Sequence, residues 1–169
     1  MYPTLHNGDY LLACKICYFF TKPQAGQIVI LKDPADPSID FIKRIIATPG
    51  QTIRIHDGKV YVDGRQIYEP YINRPWTMLN NFPGNGTHPL VLGPNQYFVM
   101  GDNRNYSEDS RSFGPIPRSS ILAMAFLRIL PISRFGLLGP GPSYVPPHQT
   151  SRYLKAIPNK NNLSSLGQL

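Results

Sequence analysis

Cysteine, tryptophan and acidic side chains are scarce here: 2 Cys, 1 Trp and 10 Asp plus Glu against 17 Lys plus Arg in 169 residues. Cys14 and Cys17 form a lone C-x-x-C with no second pair or neighbouring His, which excludes a disulfide framework and a zinc ribbon. If that segment runs as a strand, the two thiols face opposite sides of it. They are then expected to be buried apolar fillers, neither bridged nor joint metal ligands. No run of 18 apolar residues exists, because the most apolar stretch, 121–132, is interrupted by Arg128 and Pro131; no membrane-spanning helix is expected. Met1-Tyr2-Pro3-Thr4-Leu5 lacks a basic segment followed by an apolar one, and reads as a start inside a folded unit rather than a cleavable leader. His6, His56, His88 and His148 show no ligand spacing, so no metal or organic cofactor is expected.

Proline (18) and glycine (14) are plentiful, and only 16% of residues are charged. That balance suits turn-rich β structure in one compact domain better than long helices. The net charge of +7 is spread along the chain, which favours an anionic surface such as lipid headgroups about as much as nucleic acid. Without a recognition helix or interleaved basic and aromatic residues, no nucleic-acid partner is expected.

Apolar and alternating runs predict strands at Tyr10 to Cys14, Ile28 to Leu31, Asp40 to Ala47, Thr52 to His56, Lys59 to Asp63, Gln96 to Met100 and Ile121 to Ile129. Asp57-Gly58 between alternating segments is a strong hairpin signal, since its turn needs positive φ. From about 64 to 95 the pattern dissolves into Pro, Asn, Gly and aromatics. The expected fold class is mainly β: coiled antiparallel sheets forming a partly barrel-like core from residues 1–56 and 96–138, with 57–95 as an inserted β-rich extension. The Pro-, Ser- and Asn-rich segment 139–169 is expected to be a mobile tail.

Two features carry chemistry. Lys43 lies inside Phe41-Ile42-Lys43-Arg44-Ile45-Ile46, where apolar neighbours disfavour its charged form. A free lysine has a pKa of about 10.4, and desolvation can bring it into the range of a general base. The second is the polar loop Gly101 to Arg111 directly after a strand, in which Asp109 and Arg111 can pair and Ser107 can orient an amine. Each alone is also compatible with a solvated strand end or turn.

Taken in order, Met-x-Pro-Thr-Leu, a Gly-Asp, Phe-Ile-Lys-Arg before Pro-Gly, Lys-Val-Tyr-Val-Asp-Gly, Phe-Val-Met-Gly-Asp-Asn-Arg and Ser-x-Asp-Ser-Arg with Gly-Pro-Ile-Pro resemble the type I signal peptidase family from Met1 to about Leu138. The resemblance implies a Ser-Lys endopeptidase that removes signal peptides from exported preproteins after Ala-x-Ala-like sites. Lys43 matches the general base, Ser107 the hydroxyl bonded to its amine, and Asp109 and Arg111 the pair bracing the site. Met1, Leu5 and Ile42 match positions lining the pockets for small side chains, and Asp40 lies near the strand that pairs with extended substrate. The family's nucleophilic serine directly precedes Met-x-Pro-Thr-Leu; it is expected immediately before Met1 and is absent from this sequence, as is the family's oxyanion hole, so the chain as given is expected to be inactive. Implied partners are signal peptides and a lipid surface, on the outer face of a bacterial plasma membrane or an organellar equivalent such as the thylakoid. The alternative is a catalytically inactive module of the same fold that binds peptides. A self-cleaving Ser-Lys repressor would lack both Gly-Asp-Asn-Arg and the 57–95 excursion.

Overall fold

Runs of β-branched residues punctuated by Gly and Pro become short antiparallel strands. The computed structural model describes residues 1–72, 75–76, 88–138 and 143–144. In chain order these form β1 (Tyr10–Cys14), α1 (Cys17–Phe20), β2 (Ile28–Lys32), β3 (Asp40–Ala47), β4 (Thr52–His56), β5 (Lys59–Val62), β6 (Arg65–Tyr68), β7 (Leu90–Val91), β8 (Gln96–Met100), α2 (Ser110–Phe113), β9 (Ile116–Pro117), β10 (Ile121–Leu130), β11 (Gly136–Leu137) and β12 (Ser143–Tyr144). The seven predicted strands are all present, within a residue of their expected ends.

The strands make two antiparallel sheets. One runs β1-β10-β2-β3-β8-β9 with β11 added to β10, and the other runs β12-β6-β5-β4-β7. Both are open, so the expected mainly β, coiled architecture holds without closure into a barrel. Ile28, Val29 and Leu31 on β2 are buried almost without a polar break because β10 and β3 flank that strand on both edges.

Two hairpins build the smaller sheet. Asp57-Gly58 (φ 50° and 66°) joins β4 to β5, and Asp63-Gly64 (φ 51° and 75°) joins β5 to β6. Both Asp-Gly pairs take the positive φ that a tight two-residue turn needs, which glycine adopts without strain. The second turn continues order into the stretch where the sequence pattern fades, as β6. β4 also belongs to this sheet, so the chain passes from one sheet to the other at about Thr52.

The sheets share one core. Ile46, Ala47, Phe98 and Met100 from the larger sheet pack with Ile53, Ile55, Val60, Val62, Ile67 and Trp76 from the smaller sheet and its connections. Phe98 is fully buried there; its truncation to Ala would cost about 3–5 kcal/mol. A second cluster, including Val29, Leu31, Ile45, Val99 and Ile121, fills the other face. Between Ile45 and Ala47 the β3–β8 register shifts, and there β3 turns from feeding the second cluster to feeding the first.

The cysteine expectation is corrected. Cys14 and Cys17 form a disulfide, with Cα atoms 5.6 Å apart. The strand ends at Cys14, the chain bends through Lys15 and Ile16, and Cys17 opens α1, so the strand alternation that would separate the thiols does not extend across the pair. Of the expected tail, 139–169, all but residues 143–144 lie outside the described residues. Those two pair as β12 with Tyr68 and Ile67 of β6.

Candidate active site

β3 is the element on which the site is built. Its first half, Asp40 to Arg44, pairs with β2, and its second half pairs with β8 through Arg44, Ile45 and Ala47. On the β8 side, the backbone of Asp40 to Lys43 therefore has no strand partner among the described residues. Lys43 stands where that free edge meets the paired region.

The Lys43 amine is half-buried. It lies 3.2 Å from the Ser107 hydroxyl and 4.8 Å from the centre of the Phe41 ring. Burial pulls its pKa below the ordinary lysine value, and the charges of Asp109 and Glu108 oppose that only in part. Desolvation disfavours the ammonium, so the neutral amine that can accept a proton is populated at lower pH than in a free lysine.

Ser107 is held in turn by the framework beneath it. Asp109 is fully buried and caps α2. Its Oδ1 accepts from the Arg111 Nε at 2.8 Å and from the Arg111 backbone N–H at 3.2 Å; its Oδ2 accepts from the other end of the guanidinium at 2.8 Å and from the Gly101 N–H at 2.9 Å. Burial pushes this carboxyl up, but Arg111, the Gly101 N–H and the Ser107 hydroxyl outweigh it and hold Asp109 below the usual carboxylate range. Asp109 and Arg111 are thus paired as expected, with the fork geometry that only arginine offers a carboxylate.

Residues outside the expected set complete this floor. Gly101 lies so close that an added Cβ would collide with the Oγ and Cβ of Ser107; the position has no room for any side chain. Arg44, 1% exposed, grips both carboxylate oxygens of Asp102 at 2.9 and 2.8 Å and donates to the Gly26 carbonyl at 2.9 Å. Arg104 pairs with Glu69 and donates to the Gly101 carbonyl at 3.2 Å. The Glu69 partner Tyr71 carries its ring under the Arg44 guanidinium at 4.0 Å, so one buried polar network ties the excursion after β6 to the floor of the site. Sequence held a signal for Arg44, Gly101, Asp102 and Arg104, since all four lie in the motifs that carry the resemblance. No sequence signal points to Glu69.

The N-terminal segment closes the arrangement. Met1, Leu5 and Ile42 pack together with Leu11, Ile28, Ala125 and Leu138 in one apolar cluster, so these three expected pocket residues meet in space. The Met1 nitrogen is half-buried, and burial lowers its pKa, with Asp102 opposing the shift and the Lys43 charge adding to it. The Met1 amine is therefore within electrostatic reach of Lys43. Asp40 stands apart from the cluster, exposed at the start of β3 and paired with Lys32 at 2.9 Å. A groove along Tyr2, His6, Asn7, Asn103 and Tyr106 leads away from Met1. Among the described residues no group of His, Cys, Asp and Glu could hold a metal ion.

A half-buried amine, an oriented hydroxyl and an adjacent free strand edge suit proton abstraction beside an extended peptide. A family model described as signal peptidase, peptidase S26, matches residues 1–130. The chain is 40% identical over 146 residues to a probable signal peptidase I-1 of Synechocystis sp., spanning 82% of this chain and 71% of that protein. Signal peptidase I of Leptolyngbya laminosa is 37% identical over 151 residues, 85% of this chain and 71% of that protein. Thylakoidal processing peptidase 1, chloroplastic, of Arabidopsis thaliana is 35% identical over 144 residues, which is 79% of this chain and 40% of that protein. The crystal structure of a signal peptidase I from Enterococcus faecalis superposes with a TM-score of 0.50 at 28% identity, covering 62% of this chain and 97% of that one.

Proposed function

The chain belongs to the signal peptidase family, peptidase S26, and we propose that it removes signal peptides from exported preproteins as a serine endopeptidase in which Lys43 is the general base. The observation that carries this is the contact of 3.2 Å between the Lys43 amine and Ser107, made where burial keeps the amine's pKa low. In this reading the nucleophile is the hydroxyl of a serine placed directly before Met1, whose nitrogen sits within the field of Lys43.

In the reaction, neutral Lys43 takes the proton as that hydroxyl attacks the scissile carbonyl, and the leaving amine takes the proton when the C–N bond breaks. Lys43 then deprotonates water, which releases the acyl group and regenerates the serine. Ser107 fixes the amine so that its lone pair faces the nucleophile, and Asp109 with Arg111 fixes Ser107. An extended substrate adds to the free edge of Asp40 to Lys43, and small side chains enter the apolar cluster of Met1, Leu5 and Ile42.

Substrate and enzyme meet at a lipid surface. Leu12, Leu127 and Leu137 align across β1, β10 and β11, and Leu137 (78% exposed), with Ile132 (80%) and Phe135 (63%), offers apolar surface to the surroundings. Such a patch suits shallow insertion among lipid chains. Among the described residues no helix is long and apolar enough to cross a membrane.

The test is cleavage of a preprotein by the protein carrying a serine before Met1, compared with its Lys43→Ala variant. Activity in the first and none in the folded second supports the assignment. Turnover retained without Lys43 sinks it.

A further inference from the structure

Residues 1–9 have no regular secondary structure, yet Thr4 is held from both sides. Its hydroxyl donates to Asp102, which Arg44 grips from below. Its carbonyl accepts from Arg128 of β10 at 2.9 Å, across 124 positions of sequence.

Arg128 belongs to a second ion cluster that the acid–base chemistry does not use. The same terminal nitrogen reaches Asp9 Oδ2 at 3.3 Å, and the Arg128 Nε donates to the Arg134 carbonyl. The Asp9 side chain is only 2% exposed and lies 2.6 Å from the Arg134 guanidinium; it also accepts from the His6 N–H at 3.0 Å. Two arginines from the β10 end of the sheet and one buried carboxylate therefore pin the loop at Thr4, His6 and Asp9. Three acceptors converge on one guanidinium, which a lysine ammonium on a single flexible stem does not reproduce.

We propose that Arg128, with Asp9 and Arg134, is a positioning group for acyl transfer: it sets the register of residues 1–9, and through them the distance from the residue preceding Met1 to Lys43. The proposal rests on the Ser-Lys reading of the site. The reacting atoms must meet within a few tenths of an ångström, and a misplacement of about 1 Å costs roughly a hundredfold in rate. A loop without strand pairing gets that precision only from contacts of this kind. The second anchor, Arg44–Asp102, sits beside Lys43 itself, so the two ion clusters together fix the nucleophile's loop to the base's strand.

The experiment uses the protein with a serine placed before Met1, taken as the wild type, and its Arg128→Gln, Arg128→Lys and Asp9→Asn variants. Cleavage kinetics and amide hydrogen exchange are measured together. For Arg128→Gln the expected result is a kcat lower by about ten- to a hundredfold and a KM within about twofold of wild type. The pH midpoint set by Lys43 stays in place, and Arg128→Lys recovers part of the rate. Exchange protection falls at Leu5, His6 and Asp9 but not at Arg44 or Ile45. Wild-type kcat together with wild-type loop protection in Arg128→Gln overturns the proposal. Should the wild type not cleave at all, the dyad reading fails separately, and loop protection still decides the clamp because it is read without turnover. If Arg128→Gln does not fold, Arg128→Lys and Asp9→Asn carry the same comparison.

Discussion

The Lys43 amine on β3 and the Ser107 hydroxyl beyond β8 meet at 3.2 Å, although 64 positions separate them in sequence. Ser107 accepts from the amine and its hydroxyl helps to keep Asp109 ionised, so it stabilises the ammonium as well as aiming the lone pair. Ser107→Ala should then lower kcat with little change in KM. The Lys43 pKa, already depressed by burial, should fall further when a polar neighbour is lost. Because a general base works when neutral, the rising limb of the pH–rate profile should move to lower pH. An unmoved limb would separate Ser107 from the base.

Gly101 lies beneath that contact. An added Cβ meets Ser107 inside van der Waals distance, and the neighbour it displaces is the one that orients Lys43. Gly101→Ala should reduce cleavage by at least tenfold, on the order of 1.4 kcal/mol or more in the barrier, while the protein stays folded. Near-normal turnover in this variant would show that Ser107 can shift without consequence.

Asp109 is buried with Arg111, and removing one partner of such a pair costs about 3–5 kcal/mol. Asp109→Asn should lower the melting temperature at neutral pH and cut activity as well. The sign of its pH dependence follows from the depressed native pKa. The wild-type advantage is fully present above the unfolded value of about 3.9 and is lost as pH falls through the folded value. The melting temperatures of the two proteins should therefore converge in acid. A constant gap from neutral to acid pH would place the effect elsewhere.

Lys43 gives a dependence of the same sign in a more alkaline window, measurable without substrate. Its pKa is lower in the folded state, so the unfolded chain binds more protons between the folded pKa and about 10.4, and stability rises with pH across that window. Lys43→Met should raise the melting temperature below the window and lose that gain above it. No difference between the two proteins at any pH would mean that the amine is solvated.

The sequence by itself determined the strands and the ordered motifs. Alternation in Thr52 to His56 and Lys59 to Val62 needs only the two-residue period of a strand, and Asp57-Gly58 needs only the positive φ of its turn. These are local requirements, and local requirements can be read along a chain. Lys43, Ser107, Asp109 and Arg111 were legible for the same reason, since each sits in a short motif of unusual chemistry. Tertiary structure alone decided what these residues touch. Thr4 reaches Arg128, Glu69 reaches Arg104, and Gly101 presses on Ser107 only after the sheets fold over one another, because a side chain's partners depend on register and packing between segments far apart in sequence. Cys14 and Cys17 show how far this goes. Treating them as residues of one strand would keep their sulfurs apart, but the chain bends between them, and Tyr18 of the α1 that follows packs into a core drawn from distant strands.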